Sequence, residues 1–153
     1  MEFNTYKNEE FGFQISYPLE WEIAEDFMGS VVMFLSPQET SEDTFRENLN
    51  IMVQDLTAQP MTLEQYTEIS MGQFRQIVTD FKILSPLAQS SLLNYPGHEL
   101  HFTGKQGQHK LTWYSTWSLI DHNAYILTCT GEKKRFKRFW PTFREMVSAF
   151  RLE

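Results

Sequence analysis

Two histidines and one cysteine are the side chains here that could bind a metal ion or act as a nucleophile. Their positions in the sequence argue against both roles. His98 and His101 are three positions apart, a spacing that would suit a shared metal ion on a helix. The β-branched and aromatic residues around them predict a strand, where such positions face opposite ways. Cys129 lacks the helix terminus or neighbouring base that lowers the pKa of a nucleophilic thiol. We therefore expect no metal site and an inert, buried thiol.

No catalytic motif is present elsewhere. The sequence contains no G-x-S-x-G elbow, no Walker loop and no dinucleotide-binding fingerprint, and Gly104 and Gly107 only frame a hairpin. Paired acids such as Glu9-Glu10 and Glu25-Asp26 fall at predicted turns, where solvated acids are common. No nucleophile can be matched to a base, so we expect a protein without enzymatic activity and without a cofactor.

The most distinctive surface feature is a cluster of five bases, hereafter the basic cluster: Lys133, Lys134, Arg135, Lys137 and Arg138. These residues would project from the polar side of a helix whose other side is aromatic. Such a cluster has four interpretations: an ordinary solvated face, a patch for an acidic protein, a patch for anionic lipid or nucleic acid, or a contact with the acidic half of a second copy, as in a homodimer.

The charge is distributed unevenly along the 153 residues. The net charge is −7, which disfavours nucleic-acid binding, and residues 1–77 hold 14 acids against 3 bases, whereas residues 78–153 hold 6 acids against 10 bases. The length predicts a single domain spanning residues 1–153. The single cysteine, the polar start and the lack of an apolar run of roughly 20 residues predict a cytoplasmic protein without a membrane span.

Residues 98–131 predict three consecutive antiparallel strands around which the rest of the chain is arranged. Gln106-Gly107 predicts the first tight turn and residues 121–123 the second, because Gly, Asn and Asp tolerate positive φ. A turn at Gln106-Gly107 pairs Leu100 with Trp113. One face then carries Leu100, Phe102, Leu111, Trp113, Trp117 and Leu119, and the other carries Glu99, His101, Thr103, Lys110, Thr112, Tyr114 and Thr116.

The polar face of these strands and the basic cluster are the predicted docking surfaces for another protein. The candidate residues are His101, Lys110, Tyr114, Lys133, Lys134, Lys137 and Arg138.

Two amphipathic helices are predicted outside these strands. Thr62 and Gln65 form a capping box at the start of the first helix. The second falls within residues 132–150, where Pro141 either kinks the helix or lies near its first turn. Shorter strands are predicted near residues 5–7, 13–17, 21–27, 31–35 and 49–53, with an interrupted strand over 81–93. Residues 36–47 predict a mobile, acidic loop.

The ordered set of aromatic and aliphatic residues in the first third of the chain resembles the PsbP-like superfamily. The resemblance rests on Tyr6, Gly12-Phe13, Ile15, Tyr17-Pro18, Trp21, Val32, Phe34, Asn50-Ile51 and Val53, and on the closing run Val147-Ser148-Ala149-Phe150. It implies an α+β fold with a central antiparallel sheet and helices packed on both faces, an α/β/α sandwich. That family includes the extrinsic photosystem II subunit, a Ran-binding nuclear-import factor, DcrB-type proteins and chaperones of bacterial toxins.

The resemblance implies a non-enzymatic protein-interaction module, acting as an adaptor, assembly factor or chaperone. The alternative is a small-ligand-binding protein or enzyme that uses an aromatic pocket between the sheet and a helix. A free space of roughly 300 Å³ beside Trp113 or Trp117 would favour that alternative.

Overall fold

The computed structural model describes residues 1–153 and contains ten strands and two helices. They are β1 (Phe3–Asn8), β2 (Phe13–Pro18), β3 (Glu22–Phe27), β4 (Ser30–Leu35), β5 (Asn48–Asp55), α1 (Leu63–Ile77), β6 (Thr79–Gln89), β7 (Gly97–Gln106), β8 (His109–Ile120), β9 (Asn123–Glu132), α2 (Phe136–Ser148) and β10 (Arg151–Leu152). Every strand pairing is antiparallel, so the predicted α+β class with antiparallel strands is confirmed.

The strands form two sheets, and the prediction of one central sheet is wrong in this respect. Seven strands pair in the order β3-β4-β5-β9-β8-β7-β6, and three pair in the order β1-β2-β10. The short last strand pairs with β2, with Arg151 opposite Gln14 and Leu152 opposite Phe13. The last strand thus pairs with the first hairpin, and these three strands form the small sheet.

The three predicted strands of residues 98–131 are confirmed as β7, β8 and β9, but the first hairpin has a different register. Leu100 lies opposite Ser115 and Phe102 opposite Trp113, whereas the predicted turn pairs Leu100 with Trp113. The turn residues are Gly107 and Gln108, and Gly107 adopts a φ of 62° that suits glycine. A shift of two residues leaves every side chain on its predicted face, because the side-chain period of a strand is two.

The buried side chains form two separate clusters, each with one helix. The larger includes Phe143, Met146 and Val147 of α2 together with residues of β2, β4, β5, β8 and β9. The smaller includes Tyr66 and Met71 of α1 together with residues of β7, β8 and β9. Apolar burial in these clusters is the main source of stability for a fold of this size.

Helix α1 begins as the sequence predicts. The Thr62 hydroxyl accepts a hydrogen bond from the Gln65 backbone N–H (3.1 Å), and the Gln65 side chain accepts one from the Thr62 N–H (2.9 Å). This capping box satisfies two backbone donors that the first turn of a helix leaves without partners.

Helix α2 contains Pro141 as an internal residue, so the helix does not begin at this proline. The proline side chain lies on the exposed face. It removes one backbone donor from the helix ladder, and the opposite face, with Phe143 fully buried, keeps its packing. Neither helix has the length and hydropathy of a membrane-crossing segment.

Candidate functional site

The basic cluster lies in the connection between β9 and α2 and in the first turn of α2, and the connection is hydrogen-bonded to β8. The Lys133 backbone N–H donates to the Lys110 carbonyl (2.9 Å), and the Arg135 N–H donates to the Glu132 carbonyl (2.8 Å). These bonds place Lys133 and Lys134 beside Lys110, which is separated from them by more than twenty residues of sequence. Four of the predicted docking residues therefore lie together at this end of the sheet: Lys110, Lys133, Lys134 and Lys137.

Two further lysines extend this group, and together the six form what we call the lysine surface: Lys82, Lys105, Lys110, Lys133, Lys134 and Lys137. All six are exposed. Lys82, Lys105, Lys110 and Lys133 line one concavity of about 410 Å³. Lys105 pairs with Asp80 (3.4 Å between Nζ and Oδ2), and the other five lysines make no ion pair within the chain. The surface thus holds five positive charges that make no ion pair within the chain, although Asp80 and Glu132 line the same concavities.

The arginines of the basic cluster are engaged differently, because the acidic loop (residues 36–47) binds them. The Arg135 guanidinium donates to Asp43 Oδ1 (2.8 Å) and Glu39 Oε2 (3.3 Å), and also to Glu132, while Arg138 donates to Glu39. Arg135 holds the pKa of Asp43 below its usual range by hydrogen bonding, and Asp43 in turn raises the pKa of Arg135. The loop that the sequence predicts to be mobile is tied to the start of α2.

Glu47 ends the acidic loop and is completely buried. Its Oε2 accepts a hydrogen bond from the Glu132 N–H (3.0 Å), while its Oε1 lies 3.9 Å from Arg135 and has no hydrogen-bond donor. Burial raises the pKa of the Glu47 carboxyl, since desolvation disfavours its charged form. Glu47 thus adds a buried carboxylate near the Arg135 guanidinium without a hydrogen bond to it.

An apolar groove lies beside the lysines, under the first turns of α2. We call it the aromatic groove; its volume is about 300 Å³, and its lining residues are Leu84, His101, Thr112, Lys133, Phe136, Lys137 and Trp140. The His101 and Trp140 rings meet edge to face at 5.0 Å, and Phe136 stacks on Trp140 at 5.7 Å. Burial lowers the pKa of His101, which favours a neutral imidazole in this wall.

Tyr114 does not belong to an accessible surface, and its prediction as a docking residue requires correction. The side chain is 1% exposed and lies under α2, with its ring 5.0 Å from that of Trp140. Its hydroxyl donates to Glu99 Oε1 (2.9 Å), and burial raises the pKa of the phenol. The polar face of β8 is therefore a packed layer, because α2 covers it. A docking role for the remaining predicted residues stays a prediction.

The structure separates the two histidines that the sequence brings close. His98 Nδ1 lies 2.7 Å from the Thr67 hydroxyl of α1, whereas His101 packs against Trp140 of α2. No group of three or more His, Cys, Asp or Glu side chains is placed to hold a metal ion. Cys129 is fully buried, and burial raises the pKa of its thiol.

Lys82, Lys105, Leu84 and Trp140 belong to the site but were not predicted for it. The sequence predicts an aromatic side for the second helix, but it does not indicate that the Trp140 ring reaches a surface groove. Lys82 lies opposite Thr103 in a pairing between β6 and β7 that contains three register shifts. The sequence predicts an interrupted strand over 81–93, but it does not tell which residue of β7 Lys82 faces, because each bulge shifts the register.

Comparison with known proteins reveals similarity in structure only. No family model and no curated protein matches the sequence. Cyanobacterial PsbP (CyanoP) from Synechocystis sp. PCC 6803 superposes with a TM-score of 0.70 at 12% identity, over 99% of this chain and 92% of that one. The chain has the PsbP-like fold. The resemblance predicted from the sequence is thus confirmed at the level of the fold.

Two further structures support this assignment. LpqN, involved in cell envelope biogenesis of Mycobacterium tuberculosis, has a TM-score of 0.73 at 7% identity, over 97% of this chain and 89% of that one. PA94, a protein of unknown function from Pseudomonas aeruginosa, has a TM-score of 0.66 at 12% identity, over 97% of this chain and 95% of that one. At these identities the similarity establishes the PsbP-like fold, and the site must be interpreted from its own residues.

Proposed function

We propose that this chain is a non-enzymatic protein-interaction module, acting as an adaptor, assembly factor or chaperone, that docks an acidic partner on the lysine surface. The single observation that carries the proposal is that lysines of four elements converge there, while only Lys105 is paired within the chain. Charged patches of one sign accelerate encounter with partners of the opposite sign and select among them.

The fold neighbour LpqN is involved in cell envelope biogenesis, which is compatible with an assembly factor. The absence of an assigned nucleophile–base pair motivated the expectation of a non-enzyme, and it stays a prediction. A cytoplasmic location and a homodimeric state are likewise predictions, to be tested by cell fractionation and by light scattering.

We also infer that the chain is one domain and that α1 and α2 cover opposite faces of the seven-stranded sheet. Tyr114 and Trp117 are three positions apart on β8, so their side chains point to opposite faces. Tyr114 packs with α2 side chains and Trp117 with α1 side chains. Trp117 is 1% exposed, and its Nε1 donates to the Thr67 hydroxyl (2.7 Å), which supports close packing of α1 on its face.

Charge reversal tests the docking proposal. The unaltered chain is cross-linked to its partner proteins in extracts of its source organism. A variant with Lys133→Glu, Lys134→Glu and Lys137→Glu should no longer capture them. The matched variant with arginine at the same three positions should retain them, and added salt should release them, because screening weakens exposed charge contacts. Equal capture by all three proteins would contradict the proposal.

A second candidate function is supported by the aromatic groove. Its volume of about 300 Å³ lies at the lower limit for a small-molecule site, and its aromatic lining with two lysines would suit an aromatic carboxylate. The sequence-based alternative placed a pocket beside Trp113 or Trp117. Trp117 is 1% exposed under α1, and the concavity of about 700 Å³ between α1 and β6 is lined by Thr67 and His98 and by neither tryptophan. Saturable quenching of tryptophan fluorescence by phenylacetate, lost on Trp140→Phe, would favour this candidate.

A further inference from the structure

The aromatic groove lies within the lysine surface, and the two share residues. Lys133 and Lys137 line the groove, and Lys133 also lines the neighbouring concavity with Lys82 and Lys110. Apolar and positively charged surface are therefore continuous here. An apolar pocket with a charged rim is the arrangement in which single aromatic side chains contribute most to protein binding.

The walls of the groove match one large planar side chain. The rings of His101 and Trp140 meet at a steep angle, and Phe136 stacks on Trp140 behind them. Leu84 of β6, an aliphatic side chain that is 57% exposed, also lines the groove. Edge-to-face and offset contacts between aromatic rings are favourable beyond the area they bury.

The acidic loop shows how carboxylates dock on this end of the molecule. Glu39 and Asp43, four residues apart, both bind Arg135, and Glu39 also reaches Arg138. The loop leaves the lysines free, since none of them is among its ion-pair partners. A second acidic segment can therefore occupy the lysines without displacing the first.

We propose that the aromatic groove receives one aromatic side chain of an acidic protein segment, whose flanking carboxylates pair with Lys133 and Lys137. This inference rests on the proposed docking function and deepens it, because it specifies the chemistry of the partner. Carboxylates on both sides of the ring select the segment by charge, and the ring fixes its position in the groove.

Short peptides of defined sequence test the proposal directly. The probe is a fluorescein-labelled peptide Asp-Glu-Phe-Glu-Asp with a blocked carboxyl end, compared with the same peptide carrying Ala in place of Phe. Fluorescence anisotropy should give an affinity about tenfold higher for the Phe peptide, since burial of one phenyl ring is sufficient for such a ratio. Equal affinities would overturn the proposal.

Two exposed residues allow the ring and charge contributions to be separated. Leu84→Ala should reduce the advantage of the Phe peptide and leave the Ala peptide unaffected, whereas Lys137→Glu should weaken both. Arg144→Glu on the same helix is the matched control, because Arg144 is exposed and does not line the groove. A Phe advantage that survives Leu84→Ala unchanged would place the ring elsewhere and refute the proposal.

The result also distinguishes this inference from the proposed function. If charge reversal abolishes capture of the natural partner but the two peptides bind alike, the docking function stands and the aromatic anchor is wrong. If neither peptide binds and the natural partner is still captured after charge reversal, the docking function and the aromatic anchor are both wrong. If free phenylacetate competes as effectively as the Phe peptide itself, the groove is a small-ligand site and the segment proposal is wrong.

Discussion

At the scale of single residues, Arg135 is the residue that binds most of the carboxylates of the acidic loop. Its guanidinium reaches Glu39, Asp43 and Glu47, which all lie in that loop, and Glu132 at the end of β9. Asp43 is nearly buried in this network, since its side chain is 2% exposed. Exposed ion pairs contribute little to stability, but shielded, hydrogen-bonded pairs such as this one contribute measurably.

Asp43→Asn should destabilise the protein in a pH-dependent way. The folded state lowers the pKa of Asp43 from its ordinary value of 3.8 because Arg135 donates to the ionised carboxylate. Ionised Asp43 therefore stabilises the fold above that value, and this stability is lost as the pH falls through the lower, folded-state pKa. Near neutral pH, urea unfolding should show a loss of about 1.5–3 kcal/mol in the variant.

The difference between the unaltered protein and the Asn variant should shrink as the pH is lowered below 3.8. Glu47 is present in both proteins, and its pKa is raised chiefly by burial, but the charge of Asp43 also raises it, so its own pH dependence cancels only in part. A difference that remained constant under acid conditions would show that the charge of Asp43 is not the source of the effect.

At the scale of elements, two glycines show where packing tolerates a side chain and where it does not. Gly72 lies in α1, and a Cβ built there meets no atom within 4 Å. Gly104 lies in β7 where the end of α1 passes into β6, and a Cβ there would lie 2.3 Å from Val78 Cγ1 and 2.8 Å from the Thr79 carbonyl oxygen. The close approach of these elements depends on Gly104.

Gly72→Ala should stabilise the protein by about 1 kcal/mol, because alanine has the higher helix propensity and meets open space. Chemical denaturation with the helix content followed by circular dichroism measures this gain. A loss of stability would mean that α1 packs more closely at this position than the structure indicates.

Gly104→Ala should have the opposite effect and lower the free energy of unfolding by about 1–3 kcal/mol, since its methyl group overlaps neighbouring atoms. The double variant Gly104→Ala, Val78→Ala should recover part of the loss, because the shorter side chain removes one of the two overlaps. An unchanged stability in the single variant would contradict the close packing of β7 against the α1–β6 junction.

At the scale of the whole molecule, Phe150 joins segments that are distant in sequence. Its ring lies 5.5 Å from Phe13 of β2, 6.3 Å from Tyr95 before β7, and 6.1 Å from Tyr125 of β9. It is 1% exposed and stands between α2 and β10. The small sheet and the large sheet are therefore held together by a common aromatic core.

Phe150→Ala should lower the free energy of unfolding by about 3–5 kcal/mol, because it leaves a cavity between the two sheets. Phe27→Ala is the matched control at the tip of the β3–β4 hairpin, where the side chain is 45% exposed, and should change stability by no more than about 0.5 kcal/mol. Thermal or urea unfolding compares the two. Similar losses in both variants would contradict a central role of Phe150.

Much of the local structure could be predicted from the sequence. The capping box at Thr62, the three strands after residue 97 and the faces of β7 and β8 follow from side-chain chemistry and periodicity. The register of the first hairpin could not be predicted, because Gly107 suits more than one position of a two-residue turn. The lysines of the candidate site were found in part, since Lys110 and the basic cluster have sequence signals and Lys82 does not.

The sequence by itself determined where both helices and all strands but β10 lie approximately, and that positive charge concentrates at the start of the second helix, because these properties depend on neighbours within a few positions. Only the tertiary structure decided which surfaces remain open. It paired β10 with β2, covered Tyr114 with α2, bound Arg135 to the acidic loop and left the lysines beside the aromatic groove unpaired. Those outcomes depend on contacts between residues tens of positions apart, and local patterns carry no information about them.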